Sequence, residues 1–75
     1  MADYVNVITP VPGAVNRINV VPGDKVTDHS VVVVIEVMKI AYEVISGVTG
    51  VVESVRVQEG ELVKPGDILV TILRE

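Results

Sequence analysis

Moved 37 residues along itself, this chain matches itself: residues 11–36 lie over residues 48–73 without a gap. Val11, Gly13, Val15, Val20, Gly23, Val26, Val33 and Ile35 meet Val48, Gly50, Val52, Val57, Gly60, Val63, Val70 and Ile72. Ile18/Val55, Asp24/Glu61 and Val31/Ile68 are near-identities. Glycine falls on glycine and apolar on apolar, so the same turn and core constraints operate twice. Two repeats are too few to stack into a solenoid, whose units bury their apolar faces on neighbours. The expected outcome is a closed unit with pseudo-twofold symmetry.

Each half reads as strands and turns. Residues 14–20 and 51–57 open the halves as curved strands, with Ile18 and Val20 alternating in one and Val55 and Val57 in the other. Val15 and Val52 fall out of that phase, which predicts a bulge or sharp bend at Asn16-Arg17 and Glu53-Ser54. Turns follow at Pro22-Gly23-Asp24 and Glu59-Gly60-Glu61, where glycine accepts positive φ. Short connectors, Lys25-Val26 and Leu62-Val63, lead to second turns at Asp28-His29-Ser30 and Pro65-Gly66-Asp67. Buried strands at 31–36 and 68–73 close the halves, and no stretch carries a helical period.

Valine fills 20 of the 75 positions, while Trp, Phe and Cys are absent. A core of β-branched aliphatics with almost no aromatics suits stacked strands. The predicted fold is therefore all-β: about eight short strands in two four-stranded antiparallel sheets, folded into a flattened β-barrel (a barrel-sandwich hybrid). Strands from Tyr4 to Leu73 are expected to make residues 1–75 one domain. Chains this short are marginal without staples, so a compact closed β structure has to supply the stability.

Charge and composition exclude several classes of function. The net charge is −4 and the six basic residues are scattered, so neither nucleic acid nor an anionic membrane is an expected partner. Glu36 interrupts the longest apolar run, and Met1-Ala2-Asp3-Tyr4 lacks the basic start and apolar core of a signal peptide. Without cysteine there is no disulfide scaffold and no thiolate metal site. The expectation is a soluble, cytoplasmic chain, monomeric in isolation.

The halves differ at one informative place. The second ends at Arg74-Glu75, whereas the first continues through Glu36-Val37-Met38-Lys39-Ile40 into another strand-like stretch, residues 41–45. The chain must turn back at Met38-Lys39. Tight hairpin turns favour Asn-Gly, Asp-Gly or Gly-Gly, because their central residues need positive φ. A local rule broken at a tip, within a sequence that otherwise obeys the rules, marks a place to look for function. Lysine is a long flexible stem ending in an amine, well suited to a protruding covalent tether. The repeat puts this hairpin at the end opposite the chain terminus.

Those residues carry a resemblance. The chain resembles a biotinyl domain, the biotin carboxyl carrier module of biotin-dependent carboxylases and decarboxylases. The family signature Glu-Ala-Met-Lys-Met is similar to Glu36-Val37-Met38-Lys39-Ile40. The family's Pro-Gly turn corresponds to Pro12-Gly13, its Gly-Asp turn to Gly23-Asp24, and its second-half glycine to Gly50. The likeness runs from about Val7 to Leu73. It implies that Lys39, presented beside Met38, is acylated by a biotin protein ligase, so that covalent biotin is the cofactor. It also implies partners: biotin carboxylase and carboxyltransferase (or decarboxylase) sites, between which the arm shuttles a carboxyl group. The domain itself is expected to be non-catalytic. Val37 for alanine, Ile40 for methionine and Tyr42 for a smaller polar residue depart from the pattern, with slower or slightly altered ligase recognition as the expected limit of their effect. The spacing from Gly23 to Lys39 leaves no room for the protruding loop of some bacterial acetyl-CoA carboxylase carriers.

Two alternatives share the fold. A lipoyl carrier domain also modifies a hairpin lysine, but usually within Asp-Lys-Ala, which Met38 and Ile40 oppose. An unmodified structural or adaptor domain would have no need of Lys39. Among other polar residues, Lys25 and Lys64 read as surface charges, and Glu36 and Glu43, flanking the tip, either as aids to ligase recognition or as residues that solubilise an edge. Asp24 and Glu61 occupy equivalent turns in opposite halves, which argues against joint acid–base work. His29 lacks metal-binding partners and reads as a turn residue tolerating positive φ.

Overall fold

The computed structural model describes residues 3–75. Eight strands follow in order: β1 (Tyr4–Ile8), β2 (Gly13–Ile18), β3 (Lys25–Val26), β4 (Val31–Val37), β5 (Ile40–Ile45), β6 (Gly50–Val55), β7 (Leu62–Val63) and β8 (Ile68–Arg74). They form two antiparallel four-stranded sheets, ordered β1-β8-β6-β3 and β5-β4-β2-β7. Exchanging β1 for β5, β2 for β6, β3 for β7 and β4 for β8 turns one order into the other. The pseudo-twofold expected from the repeat is thus realised, with each half giving two strands to each sheet. No ladder joins the sheets among the described residues, so the flattened barrel is open along its sides and held by facing side chains. No helix is long and apolar enough to cross a membrane.

The core sits between the sheets, and its residues come in symmetry-related pairs. Val15 and Val52, Val32 and Leu69, Val33 and Val70, and Ile35 and Ile72 are all buried almost completely. Val7 and Val44 are buried too, on β1 and β5. The same 37-residue shift relates them, as it does the neighbouring Ile8 and Ile45. The repeat therefore extends further toward the N-terminus than residue 11. Thr9 and Ser46 close the same small turn in each half: each hydroxyl donates to the carbonyl two residues on, Val11 or Val48, at 2.7 Å.

The predicted bulges are present. Register shifts fall between Val15 and Arg17 against β4, and between Val52 and Ser54 against β8. The four predicted turns are present as well, with positive φ at Gly23, Gly60 and Gly66. Two expectations need correction. His29 does not adopt positive φ, although its turn is closed as the Gly66 turn is: the Ser30 hydroxyl accepts from the Thr27 N–H at 2.9 Å, as the Asp67 carboxylate does from the Lys64 N–H. Gly13 is not part of a turn. It opens β2 where a Cβ would run into the Glu36 carbonyl oxygen and crowd the Ile35 and Val37 methyls. Gly50 meets the equivalent restriction against Leu73.

The topology also fixes which end is which. Strand β2 starts beside the end of β4, with Ala14 opposite Glu36, and runs away from it. The chain then reaches β3, whose Val26 lies opposite Gly50, which in turn lies opposite Arg74. The β4–β5 turn and the C-terminal strand end therefore lie at opposite ends of a body 39 Å long and 17 Å across.

Candidate functional site

Strands β4 and β5 are joined by two residues. Val37 pairs with Ile40, leaving Met38 and Lys39 as the turn. Met38 has φ 50° and Lys39 φ 67°, the only positive values at non-glycine residues among those described. Positive φ at both central positions is the type I′ geometry that matches the right-handed twist of a hairpin. The strands impose the turn and the turn residues absorb the strain.

The side chains at this tip face solvent. Met38 is 91% exposed and Ile40 69%, and Lys39 is exposed as well. Among the described residues Lys39 makes no ion pair and no side-chain hydrogen bond. Its ammonium stem is therefore untethered while its backbone is held by a six-rung ladder from Val31/Ile45 to Val37/Ile40. A rigid base under a mobile primary amine is what an acceptor for covalent acylation requires.

The remaining sequence candidates serve the turns. The Asp24 carboxylate accepts from the Val21 N–H at 3.0 Å, and Glu61 from the Gln58 N–H at 3.1 Å. Asp67 likewise accepts from the Lys64 N–H and lies 3.9 Å from the Lys64 ammonium. Glu36 lies opposite Ala41 and Glu43 opposite Val34, so both belong to the ribbon leading to the tip. Lys25 is exposed on the short strand β3. His29 faces only Asp28, at 3.7 Å, and no group of three or more metal-ligating side chains exists among the described residues.

One feature beside the tip escaped the sequence. A shallow cleft of about 370 Å³ lies against the β5-β4-β2 sheet, lined by Asn16, Arg17, Val34, Ala41 and Glu59. The β2 bulge brings the successive residues Asn16 and Arg17 to one cleft. The irregularity at that position was legible, but Glu59 arrives from the other half of the chain, and nothing in its local sequence indicates the meeting.

Comparison with known proteins covers both halves. A family model described as Biotin-requiring enzyme matches residues 5–72. The human mitochondrial propionyl-CoA carboxylase alpha chain is 42% identical over 64 residues, which is 85% of this chain and 9% of that one. The biotin carboxyl carrier protein of Streptococcus mutans is 35% identical over 63 residues, 84% of this chain and 48% of that one. The solved structure of Kluyveromyces lactis urea carboxylase superposes with a TM-score of 0.88 at 26% identity, over 93% of this chain and 6% of that one. The chain spans less than half the length of each of these three. Since the matched residues run from β1 into β8 and take in the hairpin, the chain belongs to the biotin/lipoyl family of biotin-requiring enzymes.

Proposed function

We propose that this chain is a biotin carboxyl carrier domain, with biotin held as an amide on Lys39 Nζ. The observation that carries this reading is a solvent-facing, unpaired lysine on a strained two-residue turn at one end of the body. Family membership supports it, as do relatives whose names are those of carboxylases and of a carboxyl carrier.

The residues present suit that group. The Lys39 amine, deprotonated by a biotin protein ligase, attacks the activated carboxyl carbon of biotin; a C–N bond forms and the activating group leaves. Loss of the charge lets the lengthened side chain enter apolar sites. When bound, biotin supplies a ureido nitrogen that accepts a carboxyl group and later releases it. Lys39 then contributes reach: four methylenes plus the acyl chain give an arm on the order of 14 Å, from C–C bonds of ~1.5 Å. The hairpin ladder keeps the root of that arm in place, which raises the local concentration of its head at successive sites. Met38, beside it and almost fully exposed, is offered to the ligase together with the lysine. The partners are a biotin protein ligase and the biotin carboxylase and carboxyltransferase or decarboxylase sites of one enzyme.

Incubation with a biotin protein ligase, ATP and biotin tests this, read by intact mass. The chain should gain one biotinyl group and Lys39→Arg none. A gain from lipoate and a lipoate ligase, with none from biotin, would move the lysine to acyl-group chemistry. Failure with both would reduce the domain to a structural one.

A further inference from the structure

The cleft against the β5-β4-β2 sheet has the composition of a small-molecule site. Its ≈370 Å³ falls at the lower end of the range of ligand pockets. Val34 and Ala41 supply apolar lining, while Arg17, Asn16 and Glu59 surround it with donors and an acceptor. Arg17 forms no ion pair among the described residues. Glu59 uses one carboxylate oxygen on the Ile18 N–H, at 3.5 Å, and leaves the other free. A cyclic urea with a hydrocarbon skeleton matches this set. Arg17 and Asn16 can donate to its carbonyl, Glu59 can accept from its N–H groups, and Val34 and Ala41 can take the carbons.

The cleft is also within reach of Lys39. Ala41 lies two residues along β5, about 7 Å at ~3.4 Å per residue. From β5 across β4 to β2 is about 10 Å at ~4.8 Å per strand spacing. Ala41 therefore lies well inside an arm of ~14 Å, while the Arg17 backbone, level with Val34 and Glu43, lies about 17 Å away, so the Arg17 side chain has to meet the head across the cleft.

The pseudo-twofold supplies an internal comparison. In the other sheet Tyr4 stands where Ala41 stands, since Tyr4 opposes Leu73 as Ala41 opposes Glu36. Pro22 replaces Glu59 in the repeat. The bulge residues there satisfy one another instead: Ser54 Oγ donates to Glu53 at 2.8 Å, and Arg56 Nε donates to Ser54 Oγ at 3.0 Å. The open cleft with free polar groups lies on the sheet that carries the Lys39 hairpin.

We infer that this cleft is a resting site for the biotinyl head carried on Lys39 of the same chain, with Arg17, Asn16 and Glu59 holding the ureido ring. The inference rests on the carrier reading. It makes the arm two-state, docked on its own domain or extended toward a partner. Arg17 also gives the docked state a cation beside any carboxylate on the ring.

The test compares the amide ¹H–¹⁵N spectra of unmodified and biotinylated protein, with loading first verified by intact mass. Shifts at Asn16, Arg17, Val34 and Glu59, in addition to residues 37–41, are expected. They should shrink in biotinylated Arg17→Ala and in Ala41→Tyr, which copies the filled half. Perturbation confined to residues 37–41 in a fully biotinylated sample overturns the resting site and leaves the carrier reading intact. A sample that takes no biotin on Lys39 overturns both.

Discussion

Met38 and Lys39 hold a backbone conformation that side chains with a Cβ rarely adopt, and they hold it where the chain is most exposed. Each such residue costs on the order of 1 kcal/mol and persists only because its surroundings enforce it. Here the enforcement is the β4–β5 ladder. Met38→Asn, which tolerates positive φ, is expected to raise the unfolding free energy by about 1 kcal/mol, measured by urea denaturation. A neutral or negative effect would show that the turn is not strained. The sequence made this visible, because Met-Lys is a poor composition for a two-residue turn and two strands had to meet there. It also misled at single residues. His29 was expected to use positive φ because its counterpart is Gly66, yet the same side-chain hydrogen bond closes both turns and only the glycine takes the positive value. Gly13 resembled a turn glycine after Pro12, whereas its missing Cβ makes room for the backbone of β4. Local composition shows that glycine is required, without showing whether conformation or close approach requires it.

At the level of elements, the bulges matter most. Each lets one strand carry Val15 or Val52 inward at one end and Ile18 or Val55 toward the same core at the other, although the spacing is odd. Deleting Asn16, the unpaired residue, would leave Val15 and Ile18 two apart in an unbroken period-2 ladder, both still facing the core. The deletion variant is expected to keep its fold, seen as a dispersed amide spectrum; collapse of that dispersion would contradict the assignment of Asn16 as the extra residue. The out-of-phase valines announced the bulges. The role of β1 and β5 as a matched pair was legible in Val7/Val44 and Ile8/Ile45, yet two identities in short edge strands are a weak signal. The cleft was not legible at all, since it needs Glu59 of one half beside Arg17 of the other.

For the whole molecule, the exchange of strands between halves decides how it assembles. Among the described residues the only ladder partner of β1 is β8, that of β3 is β6, and that of β5 is β4. Residues 3–38 alone would keep only the β2–β4 pair, and residues 39–75 only β6–β8. A lone two-stranded ribbon is marginal in water. Peptides 3–38 and 39–75 are therefore expected to be unstructured separately and to form a folded one-to-one complex when mixed, observable by circular dichroism and sedimentation. Two independently folded halves would contradict the exchanged topology.

Covalent continuity makes the two ends of this near-symmetric body unequal. One end is sewn shut by a two-residue turn that bears the lysine; the other holds β8 beside β1, with Arg74 paired to Asp3. Any polypeptide joined at either terminus pulls on the far end from the arm. The 39 Å body then acts as a rigid lever, so a small swing at its mooring is amplified at its head. The territory swept by the head is set more by the protein than by the chemical arm it carries.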